Sequence, residues 1–313
     1  MSEEQLPKVE LGTHSFNQRY LYAFATQAEV VQYLRTQALG VGESEQTQIL
    51  QAWEKLQPRV QALLQSEVGV AEAIGVSDIP PEHQKVVEQF ASDRLFQKSF
   101  SMLPTGFAIV EIDKLVAAQR TVNQDYVQKL LKSVPKNPQL GDLLNICVSP
   151  TRQMNPIQHL EAGQGVHVFS SPNSDIRFLG SFKKDLVAAD LEYAMGGGIP
   201  AAAIISFVGY GSAPINVLFA NRRVVLNNGF HRVFALRSMG VTHIPVVIQS
   251  VQNLALEFPT QVAGLPREYL LGAPRPMLIK DFFEPDFTIA LKVRERLKVV
   301  TVATQIAQNE IPS

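Results

Sequence analysis

Apolar residues in the first hundred positions recur every three or four residues, the period of a helix with one buried face. Val30, Val31 and Leu34 follow Thr26 and Glu29, a Thr-x-x-Glu capping box, so a helix is expected to start at Thr26 and stop at Gly40. Ile49, Trp53, Leu56, Val60 and Leu63 form a second stripe, with Pro58 placed to kink that helix or divide it. Pro80-Pro81 opens a third pattern, with Val86, Val87 and Phe90 facing inward. Residues 1–98 therefore read as a helical subdomain whose Trp53 stripe is either core or a groove for a partner protein.

From Phe107 the pattern shortens. FAIVEIDKLV alternates as a strand entering a loop, and QDYVQKLLKSV has helical spacing at Tyr126, Val127, Leu130, Leu131 and Val134. LLNICVS is a continuous apolar run and reads as a buried strand. The stretch from about 150 to 213 is punctuated by GQG, GGG and GYG and reads as a large insertion, its GGG a flexible connection. INVLF and RRVVL flank a turn placed at Ala220-Asn221 and make a hairpin. The hairpin leads into VVLNNGFHRVFALRSMGVTHIPVVI, a strand, a turn at Asn228-Gly229, a helix ending at Gly240 and a strand through Ile244-Pro245. Residues 251–313 form a C-terminal extension, in which Lys292, Arg294, Arg296 and Lys298 alternate. One strand carrying all four would bury Glu295, so a solvated face is favoured over a nucleic-acid ladder.

Composition narrows the chemistry. The chain has 313 residues, 46% hydrophobic and 18% charged, with a formal net charge of -1, so attraction to anions must be local. Cys147 is the single cysteine, which leaves no intramolecular disulfide or cysteine-zinc cluster and fits a reducing, cytoplasmic setting. MSEEQLPKVELG lacks the basic flank and apolar centre of a signal peptide, and the apolar window from Ile199 to Val208 is too short for a transmembrane segment. His14, His83, His159, His167 and His243 show no metal-ligand spacing, so no metal site is expected, and no Ser-His-Asp set stands out.

The turn after the hairpin concentrates the candidate chemistry. Gly229 permits positive φ, and the backbone N–H groups and dipole of the following helix start attract anions. His231 and Arg232 add side-chain donors, Arg232 with a fork suited to phosphate oxygens. The spacing alone leaves open that Asn228 is an ordinary helix cap and Arg232 a surface residue.

On those residues the chain resembles the ParB/sulfiredoxin superfamily, over about 105–150 and 214–250. The matching positions are Gly229, His231, Arg232, Ala235, Gly240, Ile244 and Pro245. The resemblance implies an α+β, ParB/sulfiredoxin-like mixed domain over 99–250, interrupted by the 150–213 insertion and preceded by the helical subdomain. It also implies a nucleotide-phosphate site formed by Asn228, Gly229, Phe230, His231 and Arg232, with a nucleoside triphosphate and magnesium as ligands. Where sulfiredoxins carry their reactive cysteine and ParB proteins a glutamate, this chain has Phe230, so sulfiredoxin chemistry is excluded. Related kinases place an acid near the first strand, for which Glu111 and Asp113 are the candidates. Downstream of the motif, the helix-turn-helix of partition proteins is missing. The expectation is a nucleotide- or phosphate-binding regulatory or assembly module. Its protein partner would be met through the N-terminal helices or the insertion. The alternatives are a nucleotide hydrolase or phosphotransferase, and a DNA-partition or nuclease-like protein.

Overall fold

The computed structural model describes residues 14–151, 154, 156–163, 165–173, 175–193 and 198–305. MSEEQLPKVELG, Gln164 of GQG, Gly196 and Gly197 of GGG, and positions 306–313 of the extension lie outside the described residues. The chain divides into a larger unit, His14–Arg152 with Ser212–Arg294, and a smaller one centred on Gln153–Gly211 with Glu295–Ser313. Helices and mixed sheets occur together, an α+β composition. Among the described residues no helix is long and apolar enough to cross a membrane.

The larger unit starts with β1 (Ser15–Tyr20), the central strand of an antiparallel sheet between β15 (Ile289–Arg294) and β5 (Thr121–Asn123). This pairing ties the N-terminal helices to the rest of the unit, so they are not a separate subdomain, and residues 251–294 belong to the same body. In α1 (Gln27–Thr36) the capping box forms as expected: Thr26 Oγ1 accepts from Glu29 N at 3.2 Å, and Glu29 Oε2 accepts from Thr26 N at 2.7 Å. The helix stops four residues short of Gly40. Leu39 N donates to Lys292 O at 2.7 Å and Ala38 bridges Val293, so β15 captures the chain before another turn can form. Pro58 does not divide α2 (Glu43–Ser66), because both it and Glu54, whose carbonyl loses its helical donor, face water. Trp53 is half-buried and donates from Nε1 to Ala25 O at 3.0 Å, while its stripe packs on Tyr20, Tyr22, Val30 and Leu34 within the chain.

A six-stranded sheet runs β2 (Val76–Ser77), β3 (Thr105–Glu111), β12 (His243–Ser250), β10 (Asn216–Ala220), β11 (Arg223–Asn228) and β4 (Val116–Ala117). Pairs β10/β12 and β11/β4 are parallel and the others antiparallel. The apolar runs of β10, β11 and β12 are buried almost throughout, as central strands covered on both faces must be. The hairpin turn falls at Asn221-Arg222 rather than Ala220-Asn221. Both residues have positive φ, 50° and 63°, the requirement of a tight turn that matches strand twist, and the shift sends Arg223 inward.

The helices of this unit are α3 (Gln84–Ser92), α4 (Arg94–Ser99), α5 (Gln124–Leu131), α6 (Leu140–Val148) and α7 (Phe230–Ser238); α6 packs on β12, and α5 packs on α7 and β1. LLNICVS, expected as a strand, lies in α6. Leu143, Leu144, Cys147 and Val148 form one buried helical face, and Gln139 with Asp142 caps the start. A short apolar run fits a buried strand or helix equally, and the cap decided it. Short elements complete the unit: α8 (Leu254–Glu257), the pair β13 (Gln261–Val262) and β14 (Leu265–Pro266), and α9 (Arg267–Leu271).

In the smaller unit, β16 (Lys298–Ala303), β7 (Val166–Ser171) and β6 (Gln158–Glu161) form an antiparallel sheet, and β8 (Ile176–Lys184) pairs with β9 (Ala203–Tyr210). The four alternating basic residues are exposed, as expected of a solvated face, and do not share one strand. Lys292 and Arg294 are exposed on β15, that strand ends before an exposed Glu295, and Lys298 begins β16. Ending the strand at Arg294 removes the need to bury Glu295.

Candidate functional site

The turn between β11 and α7 is built inward from Gly229. Its φ is 93°, and a Cβ there would stand 2.6 Å from Ile215 Cγ1 and 3.1 Å from its Cα, so backbone shape and close packing both demand glycine. Asn228 pins the incoming chain: Nδ2 donates to Ser212 O at 2.7 Å, and Oδ1 accepts from Gly229 N at 2.7 Å. Phe230 is buried, its ring edge-on to Phe282 at 5.4 Å. Its burial in the core suits an apolar side chain at this point of the turn.

Arg232 does not extend its fork to solvent. Nη1 donates to Ile146 O at 3.0 Å near the end of α6, and Nη2 donates to Ala213 O at 2.6 Å. The guanidinium thus stitches α6 and the 212–215 segment to the first turn of α7. It keeps its charge close to that turn while its donors serve carbonyls.

His231 joins two helix starts. Its Nε2 accepts from Asn123 N at 3.1 Å, and its ring meets Tyr126 edge-on at 5.3 Å. Asn123 is the cap of α5, where Oδ1 accepts from Tyr126 N at 2.9 Å. With Nε2 accepting, the neutral ring carries its proton on Nδ1. The N-termini of α5 and α7 are therefore side by side, each contributing roughly half a positive charge from its dipole. Dipole ends of this sign attract negative charge, and in the first turn of α5 the Asp125 carboxylate supplies one, accepting from Asn17 N at 3.2 Å and Asn17 Nδ2 at 3.1 Å.

The expected carboxylates lie elsewhere. Asp113 holds Arg237 through two contacts of 2.5 and 3.0 Å, and Arg237 is eight residues beyond Gly229, about 12 Å along α7 at the helical rise. Glu111 pairs with Lys114 at 2.9 Å. Both carboxylates are committed to cations, so they do not fit the role of magnesium ligands at the turn.

Two further clusters escaped the sequence pattern. Arg275 and Asp281, both fully buried, form a bidentate pair at 2.9 and 3.0 Å, and Asp281 also accepts from Leu278 N at 2.6 Å. Burial pushes the Asp281 carboxyl up despite the guanidinium beside it. Glu67 Oε2 stands 2.8 Å from Arg275 Nη2, and Lys280 Nζ meets Glu67 Oε1 at 2.6 Å. Arg223 binds Glu72 and the carbonyls of Leu270 and Gly272. The network anchors the 267–281 segment, and its one sequence signal is Asp281 within the apolar run MLIKDFF. In the smaller unit, β6 and β7 bring His159 Nε2 within 3.2 Å of His167 Nδ1, an adjacency that linear spacing concealed. Among the described residues no three His, Cys, Asp or Glu side chains assemble into a metal-holding group.

No family model, curated protein or solved structure matches the chain.

Proposed function

We propose that this protein is a ParB-like module that binds a nucleotide or other phosphate-bearing ligand and acts in regulation or assembly without turning the ligand over. The observation that carries the reading is the convergence of the α5 and α7 starts on His231. Two dipole ends supply the field for an anion, and Arg232 adds a cation nearby. The two blocks behind the resemblance contribute β3, β12, β10 and β11, neighbours in one sheet, which supports treating them as one motif.

The noncatalytic part rests on what surrounds the turn. Phe230 has no proton to exchange, His231 Nε2 is engaged by Asn123 N, and Asp113 and Glu111 are ion-paired away from the turn. The test is a thermal-shift screen of nucleoside mono-, di- and triphosphates and inorganic phosphate, with and without magnesium, followed by assay of phosphate release. A ligand present at about a hundred times its Kd adds roughly 2.7 kcal/mol of stability. Such a shift is expected without hydrolysis. Magnesium-dependent phosphate release abolished by Asp113→Asn, with binding retained, would establish a phosphotransfer enzyme instead.

A further inference from the structure

A cavity of about 420 Å³ opens beside the second half of α7, within the size range of small-molecule pockets. Phe234 and Phe283 form its apolar wall, their rings stacked at 4.8 Å. Arg19 of β1, Gln124 and Gln128 of α5, and Arg237 supply the polar lining. Gln124 and Gln128 are one helical turn apart and so share a face. Among the described residues neither side-chain amide has a hydrogen-bond partner.

Charge decides what fits. Arg237 is neutralised by its bidentate contact with Asp113. Arg19 has no carboxylate partner among the described residues. Its guanidinium carbon lies 5.6 Å from the centre of the Phe234 ring, and its one hydrogen bond, from Nη1 to Phe282 O, is long at 3.4 Å. One uncompensated cation matches a single negative charge, and its planar fork matches the two oxygens of a carboxylate. A phosphate dianion would leave one of its two charges without a cation.

We propose that this cavity binds a small monoanionic carboxylic acid with a flat apolar body. The carboxylate lies on Arg19 and the two glutamine amides, and the body lies along the edges of Phe234 and Phe283, whose stacked rings are flanked by the Arg19 and Arg237 guanidiniums. Gln124, the first residue of α5, adjoins the anion reading at the helix starts, whereas Arg19 and Gln128 take no part in it, so substitutions at those two residues test this cavity separately.

Isothermal titration of the intact protein with phenylacetate, and separately with neutral phenylacetamide, tests it. For so small a probe the expected Kd is on the order of 1 mM. The amide should bind at least about tenfold more weakly, because removing the charge leaves the Arg19 cation unanswered. Arg19→Gln should weaken phenylacetate by about tenfold, and Gln128→Ala, an exposed helix position, should weaken it severalfold with an unchanged melting temperature. Excess inorganic phosphate should not compete. If Arg19→Gln fails to fold, the acid-to-amide ratio on the wild type and the Gln128→Ala result carry the test. Equal binding of acid and amide, or no saturable binding of phenylacetate, would overturn the proposal.

Discussion

Removing Arg232 separates a structural strut from an exposed phosphate ligand. In Arg232→Ala the carbonyls of Ile146 and Ala213 lose charged donors at 3.0 and 2.6 Å. A hydrogen bond to a charged group contributes roughly 1.5 to 3 kcal/mol, so the pair amounts to about 3 to 6 kcal/mol before solvent is considered. Arg232 is half-buried and water can replace part of the loss, which brings the expected cost to about 3 kcal/mol. For a unit of this size that corresponds to a fall in melting temperature of roughly 6 to 12 °C. Trp53 is the only tryptophan and sits in the larger unit, so urea denaturation followed by its fluorescence reports on the body that holds the turn. Arg232→Lys, able to reach one carbonyl at a time, should fall between wild type and alanine. A variant within about 0.5 kcal/mol of wild type that nevertheless lost phosphate affinity would refute the strut and restore Arg232 as a surface ligand.

Three other substitutions or titrations probe the same structure. Trp53→Ala removes a half-buried ring and its bond to Ala25 O, and should cost about 2 to 4 kcal/mol by the same urea assay, with no change in oligomeric state by sedimentation. The Cys147 thiol, pushed up to about 12 by burial, should resist a thiol reagent at neutral pH until denaturant opens the core; rapid native labelling would contradict its placement on the inner face of α6. Burial alone would raise Glu29, but its bonds to the Thr26 backbone and Arg120 hold it below the usual carboxylate range. Its contribution is therefore present above about pH 4.3 and lost as acid takes the pH through the lower folded value. Glu29→Gln should flatten that part of the acid denaturation curve.

Where a local interaction decided the structure, the pattern of residues was legible. The Thr26 box, the helix carrying Tyr126 and Val127, the β11-turn-α7 unit and the Ile244-Pro245 strand all arise from spacing and caps that act within a few residues. The structure departs from the sequence pattern mainly where distant segments decided. Lys292 and Val293 end α1 early, and the one-residue shift of the hairpin turn goes with Arg223 reaching inward to Glu72 and the carbonyls of Leu270 and Gly272. α6 is the exception: there a local cap, Gln139 with Asp142, selected helix for an apolar run that suits either structure. The site was legible as a place but not as a division of labour. Gly229 and the helix start are visible in the sequence, but the use of Arg232 on Ile146 O and Ala213 O depends on partners 86 and 19 residues away. The Arg275–Asp281 pair lay hidden for the same reason, because burial of a charge is a property of the assembled core.

Titration of phosphate ligands against Asn123→Asp asks whether the two adjacent helix starts hold the anion. Aspartate caps a helix as well as asparagine does, so α5 should remain intact and the backbone N–H of residue 123 can still donate to His231. The substitution adds one negative charge where the two helix starts meet. For the nucleotide that most stabilises the wild type, calorimetry should show affinity lowered at least about tenfold in the variant, with a melting temperature within a few degrees of wild type. Undiminished binding by a folded Asn123→Asp protein would show that phosphate is not held at the α5 and α7 starts.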